Sequence, residues 1–229
     1  LAAGFAALVY HMDLWVGPMR ALFPELPHHL YDRTGFPLLV WQHLVLVVVS
    51  SGLATGLGAA LGVAVTRKWG RDFLPVVNSL VSVGQTFPPV AVLAVMVPVL
   101  GFGARPTIVA LLVYGLLPVV RNTISGLEGV QPEVVQAARA MGMTPGQVLR
   151  RVELRLALPV IMAGVRISVV INIGTATLGA TIGAGGLGAP IIAGLIAENP
   201  AYILEGAVVA GLLAVIADLG LEQVEAAWS

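Results

Sequence analysis

LLVWQHLVLVVVSSGLATGLGAALGVAVT, residues 38–66, runs from Leu38 to Thr66 without one Asp, Glu, Lys or Arg. An α-helix rises about 1.5 Å per residue, so ~20 residues cross the roughly 30 Å of bilayer hydrocarbon, and this run exceeds that length. Outward from it, the apolar stretches 73–104, 106–120, 156–180 and 199–217 are each long enough, or nearly so, to do the same. Backbone N–H and C=O groups cannot go unpaired in lipid, and nothing here alternates like barrel strands, so the spans must be helices. With the N-terminal segment they make about six, an all-α polytopic membrane bundle. Residues 1–10 are too few to span alone. The chain opens on Leu1 rather than Met, and the expectation is a native N-terminus, with part of the first span, further upstream.

Composition leads to the same class. Of 229 residues, 58% are hydrophobic and 10% charged, and mean hydropathy is +0.94. A water-soluble domain could not cover that much apolar surface. Formal net charge is zero, which gives no footing for nucleic acid, and the absence of cysteine excludes disulfides, thiolate metal sites and thiol nucleophiles. The chain divides into an N-terminal span with an external loop (1–37), a core (38–222) and a short tail (223–229).

Lys and Arg set the orientation. Arg67, Lys68 and Arg71 lie between the second and third spans, and Arg121, Arg139, Arg150, Arg151 and Arg155 between the fourth and fifth. The opposite connections hold Arg20, Arg33 and Arg105. The richer side is the cytoplasm, which places both termini inside and the Pro-, His- and aromatic-rich residues 12–36 outside.

Within the spans, Gly52, Gly56, Ala59 and Ala60 form a small-residue stripe, with Gly58 and Gly62 on a neighbouring one. Such stripes let helix backbones approach closely, within a subunit or between subunits. Pro88-Pro89 cannot continue an ordinary helix and, with Gln85 and Thr86 before them, mark a break in the third span. A broken helix at membrane depth faces protein or a water-filled cavity. In the fifth span Ser168, Asn172, Thr175 and Gly179 share one stripe, which reads either as the lining of a translocation path or as interhelical hydrogen bonding. Arg166 lies near the cytoplasmic end, where it can snorkel.

Gly183-Ala184-Gly185-Gly186-Leu187-Gly188 satisfies G-x-G-x-x-G, yet it follows a membrane span and not a strand, so it reads as a tight re-entrant loop and not a dinucleotide site. His28-His29 lack metal-ligand spacing. No G-x-S-x-G, H-E-x-x-H or P-loop occurs. The chain is expected to be no enzyme and to hold no cofactor, and any energy from ATP must come from a partner.

The polar island in this apolar chain is Gln136-Ala137-Ala138-Arg139-Ala140-Met141-Gly142, within a long connection, residues 121–156. Pro132 suits the first turn of a helix reaching Met141, Gly142 can end it in the left-handed conformation, and Thr144-Pro145-Gly146-Gln147 reads as a capping box that starts a second helix through Arg151. The segment is a helix–turn–helix at the membrane surface, slim enough at its alanines to enter a cleft on another protein.

These residues resemble the EAA loop of ABC-type importer permeases, whose pattern is Glu-Ala-Ala, three residues, Gly, then an Ile-x-Leu-Pro element. Ala137, Ala138 and Gly142 match. Gln136 stands where the pattern has Glu, and Arg155 where its proline would fall, Leu-Ala-Leu-Pro ending instead at Pro159. Val83-Gly84-Gln85-Thr86-Phe87-Pro88-Pro89, Leu117-Pro118-Val119-Val120-Arg121-Asn122-Thr123, Met141-Gly142-Met143-Thr144 and Ile171-Asn172-Ile173-Gly174-Thr175-Ala176-Thr177 are similar to permeases of osmoprotectant importers, which take up glycine betaine, choline or carnitine.

The resemblance implies a type I importer permease in the bacterial plasma membrane. Its partners would be two cytoplasmic ATPase subunits, a second permease that is a copy or a paralogue, and an external substrate-binding protein. Gln136, Ala137, Ala138, Met141, Gly142 and Thr144 would couple to the ATPase, and Gln85, Thr86, Pro88, Pro89, Ser168, Asn172 and Thr175 would line the path. A methionine-type permease, or an ATPase-independent channel or secondary transporter, is the alternative.

Overall fold

The computed structural model describes residues 2–84 and 86–227, and every regular element among them is helical. The order is α1 (Ala2–Tyr10), α2 (Val16–Leu22), α3 (Phe36–Thr66), α4 (Leu74–Gly84), α5 (Pro89–Leu100), α6 (Ala104–Glu128), α7 (Pro132–Ala140), α8 (Pro145–Val148), α9 (Leu154–Ala176), α10 (Gly188–Ile196) and α11 (Pro200–Ala226). A π-turn, Leu149–Glu153, joins α8 to α9, and a 3-10 turn, Thr177–Ile182, extends α9 at its other end.

Four of the described helical runs are long and apolar enough to cross a membrane, or five if α4 and α5 count as one bent span. The expected first span corresponds to α1, which has 9 residues. Proline opens many of these helices, where its missing N–H costs no hydrogen bond. At α11 the preceding Asn199 also caps, its Oδ1 accepting from the N–H groups of Ala201 (3.0 Å) and Tyr202 (3.4 Å).

Helix α6 packs extensively on both α3 and α9, which also pack on each other. Close approach is built by glycine. A Cβ on Gly62 would sit 2.6 Å from Thr123 Cβ, and one on Gly58 2.9 Å from Val119 Cβ. This stripe, and not Gly52 and Gly56, carries the internal contact; the latter two are exposed with nothing near an added Cβ.

The main core joins Leu39, Leu46 and Val47 of α3 to Leu111 of α6, Ile173 of α9, and Val209 and Leu213 of α11. A second cluster, Val65, Val81, Leu117, Val120 and Ile124, holds α4 against α3 and α6. Outward faces stay apolar, with Val48, Leu57, Val95 and Val99 all exposed. That inverts the pattern of a soluble protein and suits a lipid surround.

Two expected boundaries are corrected. The connection does not begin at residue 121, because α6 continues to Glu128; Gly126 does not break it, since the glycine is buried where α6 packs closely on Ala157 and Val160 of α9. The second helix of the connection does not stop at Arg151. With no Gly or Pro between Gln147 and Leu158, it runs through the π-turn into α9, and Pro145–Ile182 forms one 38-residue rod. At 1.5 Å per residue that rod is about 57 Å long, against roughly 30 Å of hydrocarbon, so its arginine-bearing start projects from the membrane.

Candidate functional site

The projecting element is built by two interlocking caps. Pro132 occupies the first turn of α7, as the sequence implies. At its end, Gly142 adopts φ +84°, a left-handed conformation that favours glycine. The Met143 N–H then reaches back to the Ala138 carbonyl (3.2 Å) and the Gly142 N–H to that of Arg139 (2.9 Å), the paired bonds of a Schellman turn. Immediately afterwards the Thr144 hydroxyl accepts from the Gln147 N–H (3.4 Å) while the Gln147 side chain accepts from the Thr144 N–H (2.8 Å). This reciprocal capping box starts α8.

Ala138 of α7 and Val148 of α8 are both buried, and α7 packs on α8 and on the π-turn, so small size at Ala138 fits it for packing inside the element. Gln136, Ala137, Met141, Gly142 and Thr144 are exposed, and Met141 is 72% exposed. A methionine so open, beside an alanine and a bare turn, is an adaptable apolar knob presented to solvent.

The element is fastened to the bundle by an ion pair. Arg67, at the end of α3, places Nη1 2.5 Å from the Glu153 carboxylate in the π-turn. Nothing in the linear sequence pairs these residues, which lie 86 positions apart.

The break in the third expected span is real. α4 ends at Gly84, α5 begins at Pro89, and the two helices meet at 99°. Gln85 lies outside the described residues. Thr86 is exposed and its hydroxyl donates to the Val83 carbonyl (2.7 Å). Pro88 is exposed and extended, Pro89 half-buried, and the Tyr114 hydroxyl of α6 donates to the intervening Phe87 carbonyl.

The polar stripe of α9 has a different setting. Ser168 and Asn172 are fully buried against α3 and α6, and Thr175 is half-buried. Asn172 Nδ2 donates to Ser51 Oγ of α3 at 2.9 Å, and a Cβ on Gly115 of α6 would lie 2.6 Å from both Asn172 Nδ2 and Ser168 Oγ. Within this subunit the stripe therefore makes the interhelical hydrogen bond that the sequence left as one of two readings. Asn172 Oδ1 and Ser168 Oγ are left without partners.

The glycine-rich stretch is a folded structural loop. Gln42 Oε1 accepts from the Gly186 N–H (3.0 Å) and His43 Nδ1 from the Leu187 N–H (3.3 Å), while His43 Nε2 bonds the Ile173 carbonyl (2.9 Å). The two ring contacts require a proton on Nε2. The segment follows a 3-10 turn, not a strand, which removes the context a dinucleotide site needs. Among the described residues no three His, Asp or Glu gather as a metal site.

Two arrangements escape a linear reading. Arg166 does more than snorkel. Its guanidinium meets Asp218 (2.9 Å), Glu225 (3.2 Å) and Glu222 (3.5 Å), which occupy one stripe of α11. Glu205 sits fully buried in α11, one carboxylate oxygen accepting from the Tyr31 N–H at 2.9 Å. With Asn199 Nδ2 donating to the His28 carbonyl (2.8 Å) and Tyr31 edge-on to Phe36 and Tyr202, it seats the loop before α3 on the start of α11. An acidic residue inside an apolar run was the available signal, because such a group demands a partner.

Residues 52–223 match the family model described as "Binding-protein-dependent transport system inner membrane component". The chain is 40% identical over 203 residues to the choline transport system permease protein OpuBB of Bacillus subtilis, covering 86% of this chain and 93% of that one. It is 38% identical over 205 residues to the osmoprotectant import permease protein OsmW of Salmonella typhimurium, covering 86% and 94%. Among solved structures, a chain of the MetNI methionine ABC transporter in an inward-facing conformation superposes with a TM-score of 0.74 at 26% identity, over 82% of this chain and 94% of that one.

Proposed function

From the premise that this chain belongs to the family of binding-protein-dependent transport system inner membrane components, we propose that it carries quaternary-amine osmoprotectants such as choline or glycine betaine inward, driven by ATP hydrolysed in partner subunits. The chain is a multi-pass permease of the inner membrane with the type I importer fold. The observation that carries the coupling role is the α7–α8 element: a doubly capped, rigid turn that leaves Gln136, Ala137, Met141, Gly142 and Thr144 exposed on a projection continuous with a membrane-spanning rod. Docked in a cleft of a cytoplasmic ATPase, such a rod would carry the ATPase's closure into the bundle. Gln136 offers that partner hydrogen bonds in place of a charge.

The positive residues on the same side, Arg150, Arg151 and Arg155 on the rod and Arg67, Lys68 and Arg71 after α3, favour a cytoplasmic location for the element and, with it, cytoplasmic termini. A second permease and an external binding protein would complete the importer around the 38–222 core. The path would pass the break at Thr86, Pro88 and Pro89, and the polar seam of Ser168, Asn172 and Thr175 would give α9 a hydrogen-bonded contact with α3 on which to shift. Selection of substrate would rest with the binding protein, where aromatic rings can hold a quaternary ammonium.

Relatives near 40% identity named for choline and osmoprotectants favour these substrates over methionine, the substrate named for the more distant structural neighbour. Radiolabelled glycine betaine uptake by the reconstituted complex, with unlabelled choline and methionine as competitors, decides the point. Inhibition by choline alone is the expected result, and inhibition by methionine alone would assign the chain to amino-acid import.

A further inference from the structure

Resting on the coupling role just proposed, we infer that Arg67 and Glu153 form the joint through which movement of the α7–α8 element reaches the broken arm α4–α5. Each residue sits where a backbone element changes character. Glu153 is the last residue of the π-turn, the one irregular stretch between the capped start of the rod and the long helix that follows. π-turns are strained insertions within helices and recur at functional sites. Arg67 is the residue at which α3 ends and its backbone becomes extended.

From Arg67 the chain enters the arm at once. The Gly70 N–H bonds the Arg67 carbonyl at 3.0 Å, the Phe73 N–H bonds that of Gly70 at 3.0 Å, and α4 starts at Leu74. The turn is pressed onto the end of α3, since a Cβ on Gly70 would lie 2.2 Å from the Ala64 carbonyl oxygen. A force on Arg67 is therefore a force on the root of the arm. Farther along, the arm meets α6 through Val81 packed with Leu117 and through the Tyr114 bond to Phe87 at the break.

The side-chain geometry favours a joint over an incidental surface pair. The Glu153 side chain is 11% exposed and that of Arg67 24%, whereas Arg150, Arg151 and Arg155 beside Glu153 in sequence are exposed. Glu153 thus turns inward, away from its nearest cations, to take Arg67. On the other side, Arg67 Nη2 donates to Thr66 Oγ1 (3.2 Å), whose hydroxyl is itself held by the Val63 carbonyl (2.8 Å). Arg67 Nε is buried without a partner, and among the described residues Glu153 is the carboxylate that pairs with this guanidinium. Beneath the pair, Val63, Leu149 and Leu154 pack on Leu127, Ala157 and Ile161, an apolar seat on which the π-turn can pivot.

The test uses the complete complex, with ATPase subunits and binding protein, in proteoliposomes. Uptake and ATP hydrolysis are measured on the same vesicles for Glu153→Gln, Arg67→Gln and the exchanged pair Arg67→Glu with Glu153→Arg. In the two single variants, assembly and stimulated ATP hydrolysis persist while uptake per ATP falls by about 5- to 10-fold, the lower part of the range for coupling between sites. The exchanged pair recovers most of that loss. Unchanged uptake per ATP in the single variants, failure of the exchanged pair to recover it, or loss of assembled complex in step with uptake would each overturn the joint. Uptake independent of ATP in the unaltered complex would instead overturn the importer reading on which the joint rests.

Discussion

Replacing Gly142 tests the proposed coupling role of the α7–α8 turn at its left-handed residue. Its φ of +84° lies in the left-handed region, and a Cβ added there would meet nothing within 4 Å. Any cost of substitution is thus confined to the backbone, about 1–2 kcal/mol for an ordinary L-residue and least for Asn, which visits this region readily. The chain can relieve that strain only by rotating φ, which breaks the Met143-to-Ala138 and Gly142-to-Arg139 hydrogen bonds and swings α8 relative to α7. A bias of 1–2 kcal/mol shifts the turn's equilibrium by roughly 5- to 30-fold toward conformations in which Met141 is displaced from its present position. The assay is uptake per ATP hydrolysed in proteoliposomes for Gly142→Asn, Gly142→Ala and Gly142→Val. Coupling is expected to fall in that order, with assembly retained. Wild-type coupling in Gly142→Val would refute the reasoning, and equal damage in Gly142→Asn and Gly142→Val would show that backbone strain is not the cause.

Asn172→Leu removes a hydrogen bond to Ser51 worth about 0.6 kcal/mol on the average for such contacts, so the complex should still assemble by size-exclusion chromatography while uptake falls further; intact uptake, or equal loss of both, returns the seam to packing alone. Arg166→Leu leaves Asp218, Glu222 and Glu225 without their shared cation, and the melting temperature in detergent should drop, with Arg166→Lys recovering only part because an ammonium lacks the two-pronged contact to Asp218. An unchanged melting temperature in Arg166→Leu would contradict that role for the cluster.

Features governed by neighbours in sequence are legible in the sequence itself. The caps at Pro132, Gly142 and Thr144, the break at Pro88-Pro89 and the structural nature of the 183–188 loop all follow from backbone rules acting over a few residues. Long-range pairing was not legible. Glu153 finds Arg67 and Arg166 finds Asp218 only after helices have packed, and periodicity within one helix does not name the partner helix. The stripe of Ser168 and Asn172 shows the same limit: its shared face was readable, but whether that face meets water or α3 depends on Gly115 admitting it to the core. The helix ends in the connection differ from those expected at residue 121 and Arg151 because packing carries each helix on: α6 across Gly126 to Glu128, and the second helix into α9.

The central claim is that this permease moves substrate only when a partner ATPase drives it through the α7–α8 element. Radiolabelled choline or betaine uptake should be compared in proteoliposomes holding the complete complex with active ATPase subunits and with subunits unable to hydrolyse ATP. Accumulation with the active subunits and none with the inactive ones is the predicted result. Uptake that persists at the same rate without hydrolysis would contradict the account and make the chain a channel or secondary transporter.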